Sequence, residues 1–434
     1  MKEYSSKLSH RSAYTRNTPT ISAAPFKYPF RNAAALLRQN KIKFRRIVGS
    51  ICAKAHCADH TSEHNVNALF LDKQTMHRYN YSIKYTRRDA MLYCVTDIGS
   101  NTVKMNIFDR SDDGGMNLVY AVSSTLGLAG HRSDGALTDR GVELLTALLL
   151  KYRKDAEAHG CDELHAFATA SLRNISNTDQ VCERILRRTG MYIDVLSGED
   201  EARMSFLGMK RELGDAEQGL TIDLGGGSCE LIRFEHSEPT DSVSIPLGCV
   251  LLRDRFIRSG RFPNADESRK IYSCVRDAVD ACGILNRSNK HKPENGNMNG
   301  GDGFLVGGSA RVLFRLAAAD NSSAAIKNKE TADFIEIGSE RFPYRTGCNE
   351  PSRGMLTRAA FERVCERYAD AYRNADTAAM IGLLVPDRLT TAVPGIIALR
   401  AIADAADLDT VHHCTSGVRE GYLECLIETE KLSK

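Results

Sequence analysis

Apolar and polar positions change period several times after residue 90. Met91-Leu-Tyr-Cys-Val-Thr-Asp-Ile-Gly99 is a short apolar run rich in β-formers, and Val103-Lys-Met-Asn-Ile-Phe-Asp109 alternates apolar with polar residues. The polar triplet Ser100-Asn101-Thr102 lies between them, so the pattern predicts strand, tight turn, strand, with a third strand over Leu118–Ser123. The period then lengthens. Thr138 to His159 reads as a helix behind a Thr138/Asp139 cap, its apolar centre broken by Glu143 and Thr146. Glu163–Thr169 predicts a strand, Thr178–Thr189 a helix closed by Gly190, Tyr192–Leu196 a strand and Glu199–Leu213 a helix. This βαβα order implies an α/β domain with a mixed sheet.

The grammar of the first hairpin returns 126 residues later, in Gly219–Phe234, as strand, glycine loop, strand. Asp223 stands where Asp97 stood, and Gly225 where Gly99 stood. Two matched Asp-x-Gly hairpins imply a duplicated domain facing itself across a cleft. Strands over Ser242–Ile245 and Phe304–Val306 and helices over Asp266–Leu285, 355–373 and 395–407 continue the second half. Asn286–Gly303 is rich in Asn, Lys and Gly and is expected to be a flexible insertion. The glycines let a backbone approach closely, and consecutive N–H groups make an anion-binding nest. A carboxylate at a strand end can hold Mg²⁺, which takes oxygen ligands. The pairing therefore points to phosphate chemistry.

Charge divides the chain. Residues 1–90 carry 17 Lys and Arg against 5 Asp and Glu, a formal +12, while the rest carries −9, so the overall +3 describes neither part. An acidic body argues against nucleic acid as the main partner. No run approaches the roughly 20 apolar residues that span a bilayer. The basic segment 1–90 holds no apolar core of a secretory signal, and Cys52, His56, Cys57, His60 and His64 fit no strong zinc spacing. Met91 is expected to be the native start, with 1–90 an extension upstream of it. The 13 cysteines lack framework spacing and read as buried free thiols in a reducing cytoplasm.

Several stretches together resemble the exopolyphosphatase / guanosine pentaphosphate phosphatase (Ppx/GppA) family. They are Asp97-Ile-Gly-Ser-Asn-Thr102, Ala168-Thr-Ala-Ser-Leu-Arg-Asn174, Ser197-Gly-Glu-Asp-Glu-Ala-Arg203 and Ile222-Asp-Leu-Gly-Gly-Gly-Ser-Cys-Glu-Leu231. Pro246-Leu-Gly-Cys249, Pro386-Asp-Arg388, Pro394-Gly395 and Gly417-Val-Arg-Glu-Gly421 follow in the family's order. The resemblance implies an α/β fold of two actin-like (ribonuclease H-like) domains with mixed sheets flanking a phosphate-binding cleft. The expected domains are residues 91–215 and 216–434. It implies a cytoplasmic, Mg²⁺-dependent hydrolase of linear polyphosphate or guanosine pentaphosphate, and it makes a homodimer plausible.

Glu199, Asp200 and Glu201 open a helix, where three acids fit either a cap or a catalytic site. The resemblance selects Glu201 as the base. Asp223 and Glu230 are the metal-side candidates, and Asp97 either orients a metal-bound water or braces its turn. Ser100, Asn101, Gly225, Gly226, Gly227 and Ser228 are expected to donate hydrogen bonds to phosphates, and Arg173 to fork two phosphate oxygens. Two features depart from the family: Cys229 replaces a small residue such as Thr, and the body is acidic where the family's channel is basic. A kinase or ATPase of the same fold, or a non-catalytic polyphosphate or alarmone sensor, would use the same loops. His412 and His413 are expected to be packing or surface residues.

Overall fold

The computed structural model describes residues 91–110, 115–285, 301–321, 333–337, 340–346 and 354–432. The expectations for residues 1–90 and for the insertion over 286–300 lie outside the described residues.

The first sheet begins with β1 (Leu92–Ile98), β2 (Val103–Arg110) and β3 (Met116–Ser124). A small hairpin, β4 (Arg132–Ser133) and β5 (Ala136–Leu137), precedes β6 (Glu163–Ala168) and β7 (Asp194–Val195). β1 sits between antiparallel β2 and parallel β6. It is buried on both faces, which explains its near-continuous apolar run. Cys94 and Ile98 join the core beneath the helix Asp139–Ala158, while Tyr93 and Val95 face the other side. That helix is capped by Thr138, whose Oγ1 accepts from Gly141 N at 3.2 Å. The helix Thr178–Thr189 ends at Gly190 in the left-handed region, φ 70°.

The second sheet uses β8 (Gln218–Leu224), β9 (Cys229–Glu235), β10 (Glu238–Ile245) and β11 (Gly301–Val306). A hairpin, β12 (Asp333–Ile337) and β13 (Glu340–Thr346), comes next, followed by β14 (Met355–Thr357) and β15 (Leu408–His413). The second sheet runs β10-β9-β8-β11-β15-β14 and repeats the first: an antiparallel hairpin flanked by a parallel strand. β11 starts three residues before its apolar run, because Gly301–Gly303 already pair with β15, and the Asp302 carboxylate accepts from Thr410 Oγ1.

Two segments of the second half return to the first sheet. β13 pairs with β3, giving the order β12-β13-β3-β2-β1-β6-β7. The C-terminal helix Val418–Leu432 packs on the helix Gly198–Met209, with Tyr422, Leu423 and Leu426 against Tyr93, Val95 and Phe167. The two helices meet backbone to backbone. A Cβ on Gly421 would collide with the Met204 carbonyl, and one on Gly208 with the Gly417 carbonyl. Among the described helices none is long and apolar enough to cross a membrane.

Candidate active site

The β1–β2 turn and the β8–β9 turn meet. A Cβ on Gly227 would lie 2.6 Å from Ser100 Oγ, and one on Gly226 would lie 3.6 Å from Asn101 Cβ. The first loop is braced from behind, since Gly127 N and Ala129 N donate to the carbonyls of Asn101 and Ser100 at 2.9 and 3.0 Å. The second is closed by Gly225 N donating to Ser228 O at 3.0 Å, and it carries the helix Cys249–Phe256 on the Gly225 and Gly226 carbonyls. Gly248 packs directly on Gly226, which no side chain would allow. Among the described residues, the N–H groups of Ser100, Asn101, Gly226 and Gly227 enter no hydrogen bond. They line one cleft with Asp97, Lys104, Glu201, Asp223, Ser228, Arg311, Arg388 and Arg419. Consecutive N–H groups left without a partner in this way are the geometry that an anion nest requires.

Glu201 reaches this cleft from the first helical turn after Ser197, whose hydroxyl caps Asp200 N at 3.0 Å. It is only 7% exposed. Arg173 Nη1 donates to its Oε2 at 2.8 Å and to Leu196 O at 2.9 Å. Burial lifts the Glu201 carboxyl to about 7 against the pull of Arg173, and Asp223 and Asp97 add repulsion. Arg173, expected to fork phosphate, instead holds the candidate base, and it does not line the cleft.

Asp223 is the penultimate residue of β8, with Ser205 Oγ donating to its Oδ2 at 2.8 Å. Its Oδ1 fits against Gly307, where φ is +88° and a Cβ would lie 2.6 Å from that oxygen. Burial raises both Asp97 and Asp223, and the nearby cations Lys104 and Arg419 oppose the rise. Glu230 stands opposite Asp223 in the β8–β9 register but does not line the cleft. It is 1% exposed, and Ser244 Oγ donates to its Oε1 at 2.7 Å. Burial, then Glu201 and Asp223, push its carboxyl well up. The expected metal pair is therefore divided, with Asp223 on the cleft wall and Glu230 behind it. Cys229 is buried beside them.

Four basic side chains with no role expected from the sequence complete the wall. Lys104 faces Asp97 across the hairpin and is drawn down to about 7 by burial, then by Arg419 and Arg311. Arg388 lies on Gly308, and a Cβ on that glycine would strike the guanidinium. Arg419 Nη1 approaches Asp97 Oδ2 at 3.9 Å. The acidic body thus gathers four basic side chains beside the three carboxylates of the cleft. Hairpin register could have found Lys104, while Arg388 and Arg419 sit in motifs already recognised. His413 lines the cleft as well, packed 5.1 Å from the Phe314 ring, whereas His412 stacks on Phe304 at 4.7 Å.

Two α/β units, each offering a hairpin loop to a shared cleft, define an actin-like two-domain protein. The chain belongs to the Ppx/GppA phosphatase family, whose model matches residues 107–430. Exopolyphosphatase 1 of Mycobacterium tuberculosis is 35% identical over 189 residues, 43% of this chain and 54% of that protein. Exopolyphosphatase 1 of Mycobacterium leprae is 33% identical over the same length. The chain thus spans about half the length of the curated relatives it matches. The crystal structure of an exopolyphosphatase from Cytophaga hutchinsonii superposes with a TM-score of 0.62 at 18% identity, covering 78% of this chain and 98% of that one. The Aquifex aeolicus Ppx/GppA family member gives 0.57 at 19%, covering 80% and 99%. At these identities the likeness shows the fold.

Proposed function

We propose that this protein is a cytoplasmic Mg²⁺-dependent phosphohydrolase that releases the terminal phosphate of linear polyphosphate. The observation that carries this reading is the division of one cleft. A desolvated carboxylate, Glu201, faces two nests of unused N–H groups and the cations Lys104, Arg311, Arg388 and Arg419. Phosphoanhydride hydrolysis needs those parts: a base for water, and fixed donors where charge accumulates.

Glu201 takes a proton from water as the water oxygen bonds to the terminal phosphorus. The bridging P–O bond breaks, and the shortened chain leaves as an oxyanion among the cations. A base that titrates near neutrality is well matched to this task. Arg173 fixes the orientation of Glu201. Asp97 and Asp223 present oxygen donors to the cleft and repel one another, so this pair fits Mg²⁺, with phosphate oxygens and waters supplying the remaining ligands. Bound there, the ion would neutralise phosphate charge. Glu230, enclosed and off the cleft lining, fits that role less well than Asp97 does.

Two features favour an unbranched polyanion over a nucleotide. Arg388 covers Gly308, and among the described residues lining the cleft His413 carries the only ring. The free buried thiols fit a reducing compartment. The test is phosphate release with Mg²⁺ from long-chain polyphosphate, guanosine pentaphosphate and ATP, by wild type and Glu201→Gln. Release from polyphosphate, lost in the variant, is expected. Release confined to guanosine pentaphosphate would move the substrate to the nucleotide. Binding without release would favour a sensor, and sugar-dependent ATP turnover a kinase.

A further inference from the structure

We propose that Glu212 is a positioning residue, which clamps the cleft loop after β15 and so aims Arg419 at the reacting end of the substrate. This inference rests on the reading of the cleft given above. Glu212 closes the 3₁₀ turn Lys210–Glu212, directly after the helix that carries Glu201. Its carboxylate accepts Thr415 N at 3.0 Å, Ser416 N at 2.7 Å and Thr415 Oγ1 at 3.1 Å. Two successive peptide N–H groups converging on one carboxylate fix the peptide plane between them. Burial acts to raise the Glu212 carboxyl, but the donors on Ser416 and Thr415 outweigh it, and the group is held low and charged.

The clamped loop has little slack at either end. Cys414 N donates to Leu305 O at 2.8 Å, which ties it to β11. Gly417 N donates to Glu420 Oε2 at 2.8 Å, which starts the C-terminal helix, and Gly417 packs on Gly208. Arg419 follows in the first turn of that helix and enters the cleft beside Asp97. One continuous element therefore holds the candidate base at its start and, at its end, grips the loop that delivers the guanidinium. Glu212 itself does not line the cleft. An amide in its place offers one acceptor oxygen to three donors, and alanine offers none.

The experiment is a double-mutant cycle on Glu212→Ala and Arg419→Ala, with Glu212→Gln as the conservative variant. Three quantities are read: kcat/KM on polyphosphate, Kd for tripolyphosphate without turnover, and Tm. In the Arg419 background of the wild type, Glu212→Ala is expected to lower kcat/KM about tenfold and weaken tripolyphosphate about tenfold, with Glu212→Gln intermediate. With Arg419→Ala already present, Glu212→Ala is expected to change either quantity at most about twofold, while its effect on Tm persists. Equal losses in both backgrounds, or a loss of Tm alone, would overturn the proposal. If the wild type hydrolyses no substrate, the functional reading fails, and the Kd cycle still decides this one. Failure of tripolyphosphate to bind the wild type overturns it too.

Discussion

Glu201→Gln keeps shape and removes charge, and its two consequences have opposite signs. A positioned general base contributes roughly 10²–10⁴ in rate, so phosphate release should fall by at least about a hundredfold. Stability should move the other way. The Glu201 carboxyl is lifted from 4.5 to about 7, mainly by burial. Between those values the folded chain keeps a proton that the unfolded chain has released. Stability is therefore lost as pH rises through the window, by roughly 3 kcal/mol at about 1.4 kcal/mol per pH unit. Glutamine carries no charge to desolvate and escapes that loss. Arg173 gives up a charged partner, which returns part of the gain, leaving about 1–2 kcal/mol in favour of the variant at pH 8. In thermal melts the variant should exceed wild type by about 2–6 °C at pH 8. At pH 5, where wild-type Glu201 is protonated, the difference should close. Wild-type kcat should rise about tenfold per unit below pH 7 and then level off. A variant that melts below wild type at pH 8 would refute the burial argument, and one that keeps more than about a tenth of the activity would refute the assignment of the base.

Three further outcomes follow from individual contacts. Arg388→Ala removes a cation that lies on Gly308 in the cleft. It should raise KM for polyphosphate about tenfold or more with little change in kcat, and flatten the salt dependence of kcat/KM. Gly421→Ala drives a methyl into the Met204 carbonyl. It should cost about 3 kcal/mol or more, seen as a lower Tm or loss of soluble protein, and unchanged melting would contradict the backbone contact. Asn264→Ala breaks the capping box in which Asn264 and Glu267 satisfy each other's backbone N–H. It should cost about 1 kcal/mol in denaturant titrations and leave phosphate release untouched.

Local pattern made much of this protein legible. The alternation over Val103–Asp109 and the apolar run before Gly99 fixed a hairpin, and the same grammar at Asp223 fixed its partner. Steric rules acting within a few residues decide such features: glycine in tight turns, caps at helix starts, period 2 or 3.6. The acidic helix start at Glu199–Glu201 was legible from its cap and three acids, and the family resemblance singled out Glu201 among them. Less legible were elements whose identity depends on distant surfaces. The hairpin Asp333–Thr346 lies in the second half of the sequence yet extends the first sheet. The helix Val418–Leu432 is defined by packing on Gly208 and Tyr93, 210 or more residues away.

Within the site, the sequence by itself determined the two glycine-turn hairpins and the carboxylates that accompany them, because spacing along one strand sets which side chains share its end. Only the tertiary structure decided which partners those groups meet. It paired Arg173 with Glu201, set Glu230 behind the wall that Asp223 forms, and gathered Lys104, Arg311, Arg388 and Arg419 from four segments into one wall. Charge summed along the chain says nothing of that wall. Electrostatic energy depends on separation in space and on desolvation, and both are set when the two sheets close on each other.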